Sequence, residues 1–148
     1  MADRTTSSIV IGMPRKDIMA VIADFAAYPE WATGVRGAEV LSSADGRAAT
    51  VRFTLDAGVI KDSYVLGYDW DEDAQVHWDL AEPGSMISEM SGAYQLADRG
   101  DGTEVTYELA VGIKVPMPGI VKRRAEKTII DTALKGLKSR AEAIGRAE

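Results

Sequence analysis

The chain has 148 residues, no cysteine, one histidine and a formal net charge of −6. A length of this order suits one domain that buries about 70% of its unfolded surface and needs no covalent staples. The lack of cysteine excludes disulfides, thiol catalysis and cysteine-bound metals and fits a reducing compartment, while the acidic balance disfavours nucleic acid as a partner. The start, MADRTTSSIVIG, lacks a basic segment followed by a long apolar core, and no stretch approaches the roughly 20 apolar residues of a membrane span. A cytoplasmic location is the expectation. At 46% hydrophobic residues the composition is that of an ordinary globular protein, with no repeat, linker or low-complexity segment.

Ser8 to Met13 reads as a first strand, with Ile9 and Ile11 sharing a face. Pro14 suits the first turn of a helix, and Ile18, Ile22 and Phe25 follow at i, i+4 and i+7, one helical stripe. Pro29 disfavours helical geometry at Tyr28, so the chain is predicted to bend there before a second short helix runs through Trp31. From Val35 the pattern becomes alternation. Val35 to Ser43 is one strand, and Ala44-Asp45-Gly46 is its turn. Val51, Phe53 and Leu55 mark the next strand, and Tyr64, Leu66, Tyr68 and Trp70 the one after it. An acidic turn, Asp71-Glu72-Asp73, leads to Val76, Trp78 and Leu80, and Pro83-Gly84 ends that strand. Met86, Met90, Tyr94 and Leu96 share one face of a strand with Gly92 in its middle, and Val105 to Ile113 gives the cleanest alternation of all. Pro116 and Pro118 stop it. Gly119 to Arg146 is then one helix of roughly 40 Å, with a stripe of Val121, Ala125, Ile129, Ala133, Leu137, Ala141 and Ile144.

Short turns between successive strands imply antiparallel pairing. Seven such strands make a twisted sheet, and only the last helix is long enough to cover its apolar face. The small residues Ala125, Ala133 and Gly136 let that helix approach the sheet or leave volume unfilled. This order, with Asp24-x-x-x-Tyr28-Pro29-x-Trp31, Gly102-Thr103-Glu104-Val105-Thr106-Tyr107 and Val115-Pro116-Met117-Pro118, resembles the START-like (SRPBCC) superfamily over essentially the whole chain. The narrower resemblance is to its polyketide cyclase/dehydrase and lipid transport branch, which includes coenzyme Q-binding START-type domains. The resemblance implies one α+β domain with the helix-grip fold. It also implies a hydrophobic ligand held between the concave sheet and the long helix. Some members are aromatases or cyclases and others carry lipids or quinones, so a cavity is implied and a reaction is not. The resemblance brings no invariant catalytic set to these positions, and no cofactor.

Alternation turns Phe53, Tyr64, Leu66, Trp78, Met86, Met90, Tyr94, Tyr107 and Leu109 inward on the strands. Trp31, Met117, Ile129 and Ala133 complete the candidate ligand-binding set. Each alone reads equally well as core. Together they favour a pocket, because one helix bearing alanines and a glycine does not fill the concavity of seven strands, and methionines and tyrosines suit an elongated apolar ligand. His77, next to inward Trp78, points to solvent, so a histidine-based triad or metal site is not expected. The acidic turn lacks the spacing of a calcium loop. Asp56 and Glu89 fall on the outer face, which leaves Tyr64, Tyr94 and Tyr107 as candidate acids with no base beside them.

Lys122-Arg123-Arg124 has two readings. The three cations oppose the helix dipole and follow Val115, Met117, Ile120 and Val121, an arrangement suited to transient contact with an anionic membrane surface. Alternatively they pair with nearby carboxylates. The expected function is a binder or carrier of a lipid, isoprenoid quinone or polyketide; the alternative is an aromatase or cyclase using the same cavity. The Tyr28–Trp31 and Val115–Val121 segments are expected to form the lips of the cavity, with Trp31 as a gate whose loss leaves stability nearly unchanged.

Overall fold

The computed structural model describes residues 5–32, 34–56, 61–114 and 118–147. Strand β1 (Thr5–Ile11) starts earlier than its apolar residues alone suggest, because Thr5 and Ser7 share the inward face of Ile9 and Ile11. Pro14 stands just before α1 (Arg15–Ala23), where its carbonyl accepts the amides of Asp17 and Ile18. Helix α1 buries Ile18, Met19, Val21 and Ile22. A 3-10 turn (Phe25–Ala27) and α2 (Tyr28–Trp31) follow.

The bend expected at Tyr28 falls elsewhere. Tyr28 is helical (φ −53°, ψ −42°), and the helix breaks at Asp24 (φ −87°, ψ 76°). Pro29 begins α2 instead of ending α1, in the first turn where its missing N–H costs nothing.

Six more strands follow: β2 (Val35–Ala44), β3 (Arg47–Asp56), β4 (Lys61–Asp71), β5 (Gln75–Glu82), β6 (Ile87–Arg99) and β7 (Gly102–Ile113). With β1 they form one antiparallel sheet in the order β1-β7-β6-β5-β4-β3-β2. The register stacks the aromatic positions beside one another. Phe53 faces Tyr64, Tyr68 faces Trp78, Trp78 faces Gly92, and Tyr94 faces Tyr107. Gly92 is required here. A Cβ at that position would lie 2.6 Å from Trp78 Cζ2 and 2.8 Å from the Glu108 carbonyl oxygen, so the missing side chain makes room for the indole.

Helix α3 (Gly119–Ala147) packs on β1 and β7. Its buried line is Ala125, Glu126, Ile130, Leu134, Leu137 and Ala141. The expected stripe is therefore rotated: Ile129 and Ala133 are half-buried at its edge, and Ile144 is exposed. Because the helix leans toward β1 and β7, it leaves the concavity over β3 to β6 to other side chains. Gly136 seats α2 on α3, since a Cβ there would overlap the Trp31 carbonyl oxygen.

Glu126 is 1% exposed, a buried carboxylate that apolar patterning does not reveal. Its Oε2 accepts the Val111 N–H (2.9 Å) and its Oε1 the Thr5 hydroxyl (3.0 Å). The carboxylate thus ties α3 to β7 next to the pairing of Thr5 with Leu109. The Pro83–Met86 turn is held in a similar way. Asp62 Oδ1 accepts the amides of Ser63 and Ser85 and the Ser85 hydroxyl, while Oδ2 accepts the amides of Met86 (3.0 Å) and Ile87 (2.7 Å).

Candidate functional site

The concave face of the sheet is lined by rings. Phe25, from the 3-10 turn, lies 4.9 Å from Tyr28 and 5.0 Å from Tyr68, centroid to centroid. Tyr28 reaches Trp31 at 4.8 Å, Tyr68 reaches Trp78 at 5.7 Å, and Trp78 meets Tyr107 edge-on at 5.6 Å. Tyr94 and Tyr107 are 4.5 Å apart. These spacings fall in the range where aromatic pairs attract beyond their area burial.

Between these rings and α3 lies a hollow of about 80 Å³. Its walls contain eleven of the thirteen candidate residues: Trp31, Phe53, Tyr64, Leu66, Trp78, Met90, Tyr94, Tyr107, Leu109, Ile129 and Ala133. Met86 is not among them. A bulge between Ile87 and Glu89 shifts the register, so Ile87 takes the inward place and Met86 stays in the turn clamped by Asp62. Met117 lies outside the described residues. Tyr28, Ala32, Val35, Leu55 and Tyr68 also line the hollow. Leu55 and Tyr68 follow the even spacing of their strands and could have been read from it. Tyr28 opens α2, Ala32 follows that helix and Val35 opens β2, places where no run of period is long enough to read.

The hollow is narrower than seven strands over one helix suggest, because the rings themselves occupy the concavity. Pockets for drug-sized ligands run to about 300–1,000 Å³. As it stands, the space holds a small ring or a short chain segment, and a larger guest must displace wall side chains. Trp31 is not a free gate: it is 7% exposed and packed between Tyr28 and the Gly136 turn of α3.

All five tyrosines of the chain line this one hollow. Burial raises the phenol pKa of Tyr28, Tyr64, Tyr68, Tyr94 and Tyr107, with charge repulsion from neighbouring phenolates adding to it for the first four. Tyr68 is partly exposed as a residue, yet its phenol group is enclosed. Each is a neutral phenol at physiological pH. Tyr28 donates its hydroxyl to the Ile22 carbonyl. The hydroxyls of Tyr64, Tyr68, Tyr94 and Tyr107 make no hydrogen bond to a described residue. Trp31 Nε1 is likewise buried without a partner among the described residues. No carboxylate, imidazole or amine belongs to the described walls.

The other polar candidates lie away from the hollow. His77 is exposed, with Nε2 3.5 Å from Asp69 Oδ2. Asp71-Glu72-Asp73 is a surface turn in which Asp73 pairs with Arg47 at 2.9 Å. Glu89 is exposed, and Asp56 pairs with Arg36 at 3.7 Å. Among the described residues no group of three or more His, Asp or Glu side chains is placed to hold a metal ion. No helix of the described residues is long and apolar enough to cross a membrane.

Seven antiparallel strands curved around a long terminal helix, with an apolar hollow between them, define a START-like helix-grip domain, a fold that takes hydrophobic ligands. The chain belongs to the polyketide cyclase/dehydrase and lipid transport family, whose pattern matches residues 2–142. Among solved structures it is similar to a START superfamily protein from Mycobacterium smegmatis, with a TM-score of 0.87 and 20% identity over 95% of this chain and 98% of that one. It is also similar to the Zhui aromatase/cyclase from a Streptomyces strain, with a TM-score of 0.80 and 14% identity over 96% and 94% of the two chains. The two-domain aromatase/cyclase StfQ of the steffimycin biosynthetic pathway gives a TM-score of 0.80 at 10% identity, over 96% of this chain and 51% of that one. At these identities the likeness is one of fold. No curated protein matches the sequence.

Proposed function

We propose that this protein binds or carries a hydrophobic small molecule (a lipid, an isoprenoid quinone or a polyketide) in the hollow between the sheet and α3. The observation that carries the reading is the coincidence of a void with a wall that is apolar apart from phenol and indole groups. Burial of apolar ligand area at about 25 cal/mol per Å² supplies affinity, and the hydroxyls of Tyr64, Tyr68, Tyr94 and Tyr107, which have no partner among the described residues, offer donors to a ligand oxygen. The absence of a carboxylate, imidazole or amine from the described walls supports carriage over acid–base chemistry.

A second reading, an aromatase or cyclase acting on a bound polyketide, is favoured by those same hydroxyls. A neutral phenol can protonate or polarise a ligand carbonyl, and two of the similar structures bear aromatase/cyclase names. The test is titration with an environment-sensitive apolar fluorophore, followed by its displacement with a fatty acid, a quinone analogue and an aromatic polyketone. The variant Ala133→Leu fills the hollow from α3. It should abolish probe binding while the melting temperature holds or rises, since filling a void removes a packing defect. Failure of the wild type to bind any of the probes overturns the reading. Turnover of the polyketone, lost in Tyr94→Phe or Tyr107→Phe with binding intact, would favour the enzyme.

A further inference from the structure

The start of α3 carries a surface unlike the rest of this acidic chain. Among arginines whose side chains are described, Arg15, Arg36, Arg47, Arg52, Arg99 and Arg140 each pair with a carboxylate. Arg123 and Arg124 have no partner among the described residues, and neither has Lys122. Both arginines are exposed, and no acidic residue stands in the first turn of the helix. The acidic residues nearest in sequence are already engaged. Glu126 is turned inward onto Val111 and Thr5, and Asp131 pairs with Lys127 at 3.0 Å.

Three cations here also oppose the positive end of the helix dipole, at a cost of a few tenths of a kcal/mol each. Ion pairing, which offsets such repulsion elsewhere on the molecule, is absent at this spot among the described residues. Ile120 lies beside them and is 70% exposed, the most exposed large apolar side chain among the described residues. Ile120, Arg123 and Arg124 stand at i, i+3 and i+4, so one helical face presents an apolar point flanked by two guanidinium groups.

We propose that this face docks the protein on an anionic lipid bilayer, with Ile120 entering the interface and Arg123 and Arg124 set against lipid phosphates. The exposed isoleucine favours a bilayer over a soluble polyanion, which offers no apolar layer to receive it. Ile129, on the wall of the hollow, follows Arg123 and Arg124 by less than two turns of α3, so docking brings that end of the wall near the membrane. The proposal stands apart from what the hollow binds, and its test needs no cavity ligand.

The test is co-sedimentation with vesicles of phosphatidylcholine alone and of phosphatidylcholine mixed with phosphatidylglycerol. The wild type should bind the mixed vesicles at low salt, release them as salt rises, and ignore the neutral ones. A cation near the surface contributes about 1 kcal/mol, roughly fivefold in affinity, so Arg123→Ala with Arg124→Ala should weaken binding about 25-fold. Ile120→Ser should weaken it further and leave the salt slope unchanged. Lys16→Ala with Lys135→Ala removes the same charge from other exposed positions and should bind as the wild type does. No binding to mixed vesicles at low salt would overturn the proposal. So would an equal loss in the Lys16/Lys135 control, or capture by duplex DNA with the vesicles left unbound. The altered side chains are exposed, so unchanged melting temperatures should accompany every variant.

Discussion

Gly136→Ala separates two forces of opposite sign. Within a helix, glycine to alanine stabilises by about 1 kcal/mol through propensity alone. At this position the new methyl group would overlap the Trp31 carbonyl oxygen, with the Trp31 carbonyl carbon 3.1 Å and its Cε3 3.4 Å from the same point. The obstacle is backbone at the end of α2 and does not yield as a flexible side chain would. Overpacking of this kind costs about 1–3 kcal/mol, and the rigid target places it at the upper end. The net is a loss of about 1–2 kcal/mol, which for a chain of this size lowers the melting temperature by about 2–8 °C. Tyr28, Trp31 and Ala32 line the hollow, so pushing α2 off α3 should also widen it and change the tryptophan near-UV signal. Thermal melting by circular dichroism reads both effects. A variant more stable than the wild type, with an unaltered near-UV spectrum, would show that α2 is not seated on Gly136 and would refute the packing described here.

Glu126→Ala should cost about 3 kcal/mol in urea denaturation, because it strands the buried Val111 N–H, whereas Glu126→Gln keeps an acceptor there and should cost less. For Asp62, burial would raise the carboxyl pKa, but amides from Ile87, Ser85, Met86 and Ser63 outweigh it and hold the group below its ordinary value. Its contribution is thus present above about pH 4 and lost as pH falls through the depressed folded value. Asp62→Asn should remove that acid-dependent part of the melting curve. The tyrosines give the opposite slope: stability is full below about pH 10 and declines above it, as unfolded phenols ionise and folded ones resist. Phenolate absorbance should therefore appear together with unfolding; a gradual rise in the folded protein would show the rings open to solvent.

The strands were legible because the sheet has one wet face and one dry one. Val105, Tyr107 and Leu109 alternate with Glu104, Thr106 and Glu108 over β7, and the pairing of neighbours followed from the short turns. The pattern failed where local geometry overrides period. The bulge after Ile87 exchanged Met86 for Ile87, a shift set by hydrogen bonds to Asp62 from residues more than 20 positions away in sequence. The face of α3 was misplaced by part of a turn because Glu126, counted as polar, is buried where it accepts the Val111 N–H. Most of the candidate lining was readable strand by strand. The extent to which the rings close the hollow was not, since it depends on Phe25 and Tyr28 arriving from outside the sheet.

The interlocked rings bear on the calorimetry of any guest. A hollow of about 80 Å³ holds little water, so entry of a ligand releases few solvent molecules and instead trades ring-on-ring contacts for ring-on-guest ones. Association should then be driven by enthalpy near room temperature, with a smaller negative heat-capacity change than the guest's own apolar area would give in a wide, flooded cleft.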